Sequence, residues 1–141
     1  MNDFDRCIER RSLVRIDVGP DASERELLAA REELIDVEVL LANARFKRAT
    51  VSSYYAMFHA ARALVLAKGY AEKSHYCLVV AFEALYGVTD DGRHFAKALA
   101  RGRTMREHAD YEGEFSEDSA RSSSEVAKTF VEFAENALPK A

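Results

Sequence analysis

The chain has 141 residues, 48% of them hydrophobic, which is enough for one domain with a buried core and short for two. Six glycines and two prolines are too few turn formers for a sheet-rich fold and point to long helices. A net charge of −4 argues against a protein that coats nucleic acid by neutralising phosphates, while leaving room for a local basic cleft.

Residues 1–20 show no sustained period and end in Gly19-Pro20, so they read as an N-terminal extension, or a short helix plus turn, ahead of a domain over 21–141. Arg6, Arg10, Arg11 and Arg15 crowd this segment and read as a solvated basic surface. Met1-Asn2-Asp3-Phe4-Asp5 lacks the apolar centre of a signal peptide, and no apolar run approaches the roughly 20 residues that cross a bilayer. The expectation is a cytoplasmic protein without a membrane segment. Cys7 and Cys77 lie far apart with no metal-type spacing, so reduced thiols are expected.

Ser23-Glu24-Arg25-Glu26 has the form of a capping box and predicts a helix start, with Leu27, Leu34 and Leu41 forming an apolar stripe to about Asn43. A second helix is predicted from about Phe46 to Lys68, stopping at Gly69. Tyr55, Phe58, Arg62 and Val65 share one face of it, and Ala56, Ala60, Ala61 and Ala63 allow a neighbour to approach closely. Ser74 predicts the cap of a third helix, ended by Gly87. Asp91 predicts the cap of a fourth, which Gly102 interrupts. Ser116 predicts the cap of the last helix, ending before Pro139. The fold class expected is all-α, an antiparallel up-and-down bundle of four or five helices.

There is no glycine-rich phosphate loop and no Ser/His/Asp elbow. Candidate chemistry concentrates in Arg101-Gly102-Arg103-Thr104-Met105-Arg106-Glu107-His108-Ala109-Asp110-Tyr111. Arginine offers a fixed fork of donors to phosphate, and histidine exchanges a proton near neutrality. A histidine could deprotonate a ribose 2′-hydroxyl while an arginine stabilises charge developing on the phosphate, with no metal or other cofactor required. On a continuous helix Arg103 and His108 would point about 140° apart, whereas Arg101 and His108 would share a face. The bland reading of this stretch is a solvated basic turn. His75, just after the capping Ser74, could help hold an anion or could simply face solvent in a first turn. Tyr54, Tyr55 and Phe58 could stack on bases, or form core or dimer interface.

The run Ala49-Thr50-Val51-Ser52-Ser53-Tyr54-Tyr55-Ala56-Met57-Phe58-His59-Ala60-Ala61-Arg62-Ala63-Leu64 resembles the most recognisable segment of the HEPN (higher eukaryote and prokaryote nucleotide-binding) superfamily. Lys73-Ser74-His75 after Gly69, and Arg106-Glu107-His108-Ala109-Asp110-Tyr111, are similar to the same group, in a branch of small single-domain prokaryotic proteins. The resemblance covers about residues 13 to 134. It implies a helical bundle, a homodimer whose motif segments meet in a shared cleft, and a minimal nucleotidyltransferase as toxin–antitoxin partner. It also implies RNA or nucleotide as ligand and, in catalytic relatives, metal-independent endoribonuclease activity through an Arg-(four to six residues)-His motif. Two registers of that motif fit. In the first, Arg103 or Arg101 pairs with His108, and these are the catalytic candidates. In the second, Arg106 is the motif arginine and Tyr111 stands where active enzymes place histidine. Tyrosine, with a usual pKa of about 10, is a poor general base, so Arg106, Tyr111 and His75 are candidates for nucleic-acid or nucleotide binding. The second register favours a different role, a non-catalytic helical module that binds and positions the nucleotidyltransferase.

Overall fold

A computed structural model describes residues 1–112 and 115–139, and side chains of 109–112 fall outside that description. The element order is α1 (Asp3–Glu9), β1 (Leu13–Arg15), α2 (Pro20–Ala42), α3 (Phe46–Ala67), β2 (Tyr70–Glu72), α4 (His75–Tyr86), α5 (Asp90–Glu112) and α6 (Glu117–Ala137). The all-α bundle is as expected: α3 runs through its middle, with α2, α4, α5 and α6 packed around it.

The sequence of α3 explains its central place. Ala56, Ala60, Ala61 and Ala63 are all fully buried, and their short side chains let neighbouring helices approach. Polar groups on the same helix are satisfied locally or across the interface. The Thr50 and Ser53 hydroxyls donate to the carbonyls of Phe46 and Ala49, and the buried Ser23 hydroxyl of α2 donates to Ala63 O at 2.8 Å. At the far side of α3 an aromatic layer closes the core, with Phe82 and Phe130 at 5.2 Å between ring centres and Phe95 packed edge-on to Phe130.

Two expected caps hold. The side chains of Ser74 and Ser116 accept from Cys77 N and Ser119 N, and Gly87 follows the end of α4. Others differ. Helix α2 starts at Pro20, so Ser23 and Glu26 are not a capping box. Ser23 is used against α3, and Glu26 reaches His59 and Arg62. At the start of α5 the Thr89 hydroxyl, not Asp91, accepts from Gly92 N at 3.0 Å. Helix α5 runs unbroken through Gly102, so the arginine-rich stretch is helical and not a turn. Gly102 is there because the helix presses on α3: a Cβ would lie 2.5 Å from Met57 Cε and 3.2 Å from Tyr54 Cδ1.

The first 20 residues supply α1 and β1. Strand β1 pairs antiparallel with β2, with Leu13 opposite Glu72 and Arg15 opposite Tyr70, and Gly69 makes the turn into β2 at φ +89°. The Arg15 guanidinium lies over the Tyr70 ring and donates to its hydroxyl at 2.9 Å. Packing of α1 on α4 brings Cys7 and Cys77 to a Cα separation of 5.9 Å, where they form a disulfide. The expectation of separate reduced thiols is thereby corrected. It failed because sequence distance hid a long-range contact between two helices.

Candidate phosphate-binding site

Helix α3 presents Tyr54, Tyr55, Phe58 and Arg62 along one side, the start of α4 brings His75 against them, and α5 adds Arg103 and Arg106. Tyr54 and Phe58 are buried, whereas Tyr55 is half-exposed. Of the three aromatics, only Tyr55 therefore keeps substantial surface open to a ligand. His75 is half-buried, not a solvent-facing first-turn residue. Its ring lies 4.5 Å from Phe58 and 5.9 Å from Tyr54, centre to centre, and its Nδ1 is 2.9 Å from the Tyr54 hydroxyl. This contact fixes the imidazole plane and commits Nδ1, leaving Nε2 as the ring nitrogen for any other partner.

The electrostatics of the site follow from that packing. Burial, then the charges of Arg106 and Arg103, hold the His75 pKa below its ordinary value, so the ring is neutral at neutral pH. Burial, then the neighbouring Tyr55, pushes Tyr54 up to about 12, so its hydroxyl stays protonated. The Arg106 guanidinium carbon lies 5.8 Å from the centre of the Tyr55 ring. Arg103 approaches Glu107, one turn along α5, at 3.6 Å. The result is two guanidinium groups, an uncharged imidazole and a partly open aromatic ring on one side of the bundle. Such a set is suited to an anion, because arginine keeps its charge at all working pH and the imidazole can hydrogen-bond a phosphate oxygen.

Beside it lies an ion network that sequence reasoning missed. Arg62 binds Glu72 at 2.6 Å and Glu26 at 3.5 Å, while its guanidinium carbon sits 4.8 Å from the centre of the Phe58 ring. His59 Nδ1 meets the other Glu26 oxygen at 2.7 Å. Burial alone would raise the Glu26 pKa, but the His59 hydrogen bond and the Arg62 charge outweigh it and the carboxylate stays below its usual range. Phe58 and Arg62, four apart on α3, were the available signal. Their acidic partners come from α2 and β2, which no local pattern connects.

The sequence candidates divide between two sides of α5. Arg103 and Arg106 join His75 through their charges, while Arg101 is exposed and lines a cleft between α5 and α6. His108 is exposed near the end of α5. Because the helix is continuous, Arg103 and His108 point about 140° apart within one chain. Tyr111 belongs to the last turn of α5, and its side chain lies outside the described residues. Among the described residues no three His, Cys, Asp or Glu side chains gather as a metal site would need, and no helix is long and apolar enough to cross a membrane.

Comparison with known proteins agrees with this architecture. A UPF0332 protein of Archaeoglobus fulgidus is 37% identical over 101 residues, covering 67% of this chain and 78% of its own. A UPF0332 protein of Pyrococcus horikoshii is 33% identical over 87 residues, covering 60% of this chain and 61% of its own. A protein of Methanocaldococcus jannaschii that carries the name "Putative toxin" is 30% identical over 112 residues, covering 77% of this chain and 83% of its own. The family model of the HEPN domain matches residues 23–138, from the buried serine of α2 to the end of α6, and the chain belongs to the HEPN domain family.

Proposed function

We propose that this HEPN-domain protein is the toxin-like half of a two-component system and that it handles RNA or nucleotide phosphate at the face formed by Arg103, Arg106, His75 and Tyr55. The observation that carries this reading is the meeting of two arginines with a neutral, oriented histidine in a protein whose overall charge is negative. Phosphate oxygens would lie against the guanidinium groups, and a base or ribose could rest on the open part of Tyr55. The relative named as a toxin supports the biological setting. A protein partner, a minimal nucleotidyltransferase in this reading, is supported by α2. There Leu28, Ile35 and Val39 form an outward apolar stripe, exposed at 53%, 64% and 57%.

Cleavage would need a proton acceptor for the ribose 2′-hydroxyl and a cation against the phosphate, which Arg103 or Arg101 with His108 would supply without metal. The test is incubation of the purified protein with labelled single-stranded RNA in excess chelator. Cutting that is lost in both His108→Ala and Arg103→Ala supports a ribonuclease using these residues, and cutting that persists in both rejects them. A second reading, a non-catalytic module that positions the nucleotidyltransferase, is favoured by the separation of Arg103 and His108 around α5. In that case RNA is not cut, and co-purification with the co-expressed nucleotidyltransferase survives both substitutions. RNA binding that is unchanged in Arg103→Ala/Arg106→Ala would overturn the phosphate site itself.

A further inference from the structure

Helices α5 and α6 both rest on α3 but diverge from each other, and the gap between them is a cleft of about 400 Å³. It lies on the Arg101 side of α5, away from Arg103 and Arg106. Its floor is apolar and deformable: Met57 from α3, Ala98 and Met105 from α5, and Val126 from α6. One rim carries His94, Lys97 and Arg101, spaced so that they follow one another along a single face of α5. The opposite rim offers the hydroxyls of Ser119 and Ser122. Among the described residues that line the cleft there is no carboxylate, although the chain holds 24 acidic residues against 20 basic ones. The first turn of α6 beside the cleft is capped by Ser116 and carries Glu117 and Asp118, with Glu117 paired to Arg121.

We propose that this cleft binds a small amphipathic carboxylate, its apolar body on the methionine-lined floor and its anionic head between Lys97, Arg101 and the serine hydroxyls. The volume falls in the range of small-molecule pockets, and the two materials of the cleft sort in space as such a ligand requires. An apolar floor alone would accept any greasy molecule. Among the described lining residues the charged side chains are Lys97 and Arg101, which favours an anion, and the arginine fork matches a carboxylate. The site shares no residue with the His75 face and only Arg101 with the candidate cleavage residues.

Methionine supplies the test, because the chain has three and two of them, Met57 and Met105, lie in the cleft, while Met1 is exposed elsewhere. With methyl-labelled methionine, sodium decanoate kept below its micelle concentration is titrated into the intact protein and followed by NMR. Saturable shifts of the Met57 and Met105 methyls with Met1 unmoved are expected. Lys97→Ala/Arg101→Ala, both exposed and so expected to fold, weakens decanoate by roughly tenfold or more and leaves 1-decanol unaffected. The proposal is overturned if neither cleft methyl moves, if all three move together, or if the double variant binds decanoate as wild type does. Cleft methyls that shift with protein concentration alone would instead assign the cleft to a second copy of the chain and equally overturn it.

Discussion

Burial and two arginines keep the His75 imidazole uncharged, and this gives the proposed phosphate site a direct reporter. A phosphate placed against Arg103 and Arg106 adds negative charge near the ring and offsets the arginine charges that disfavour the imidazolium, so the His75 pKa should rise on binding. In an NMR titration of labelled histidine, His75 is expected to titrate below the ordinary 6.5 in the free protein, and its midpoint should move up when inorganic phosphate or single-stranded RNA is added. A midpoint that ignores both ligands would remove phosphate from this face. The sign for stability follows from the same shift. The unfolded chain takes up the proton first, so the contribution of His75 is complete above the unfolded value and is lost as pH falls through the folded one. Gly102 governs the same region from below. Alanine there gains helix propensity of about 1 kcal/mol and meets the movable tip of Met57, so its stability should stay within about 1 kcal/mol of wild type. Valine adds bulk toward the Tyr54 ring, which is held by Phe58 and His75, and should cost about 2–3 kcal/mol in urea denaturation.

At the level of elements, the disulfide ties α1 to the first turn of α4, two residues beyond His75. It closes a loop with a sequence separation of 70, for which chain entropy predicts a stabilisation of about 4 kcal/mol. Thermal unfolding with and without a dithiol reductant should therefore differ by roughly 10 °C, and equal melting points would show that α1 adds nothing through this link. This bond also marks the boundary of what could be read from sequence. Ser74 and Ser116 were legible as caps because the groups they satisfy lie within three residues. Ser23 and Glu26 carried the same local pattern, yet their side chains serve contacts 40 and 33 residues away, so the pattern misled. Gly102 read as a break because a glycine in a helix usually weakens it, whereas here the missing Cβ makes room for Met57 and Tyr54. Of the site, the arginine-rich stretch and His75 were visible as types of residue. That Tyr54 fixes His75, and that Glu72 and Glu26 engage Arg62 beside it, depends on long-range packing and on a three-residue strand too short to leave a period.

For the molecule as a whole, the continuous α5 constrains a cleavage mechanism that pairs Arg103 with His108. Arg103 and His108 point about 140° apart on one helix, so a single chain cannot close them around one phosphate. A catalytic centre that uses both must take the arginine from one subunit and the histidine from another, which makes activity a property of the pair. A mixture of variants tests this in a way that neither variant alone can. Arg103→Ala and His108→Ala should each be inactive. Mixed in equal amounts and allowed to exchange subunits, half of the dimers are mixed, and each mixed dimer holds one complete centre and one doubly defective centre. Recovery to about a quarter of wild-type cutting is then expected from the two-fold symmetry. A mixture as inactive as its components, with subunit exchange verified, would reject the shared centre, and recovered cutting that did not fall on dilution below the dimer dissociation range would reject the dependence on pairing.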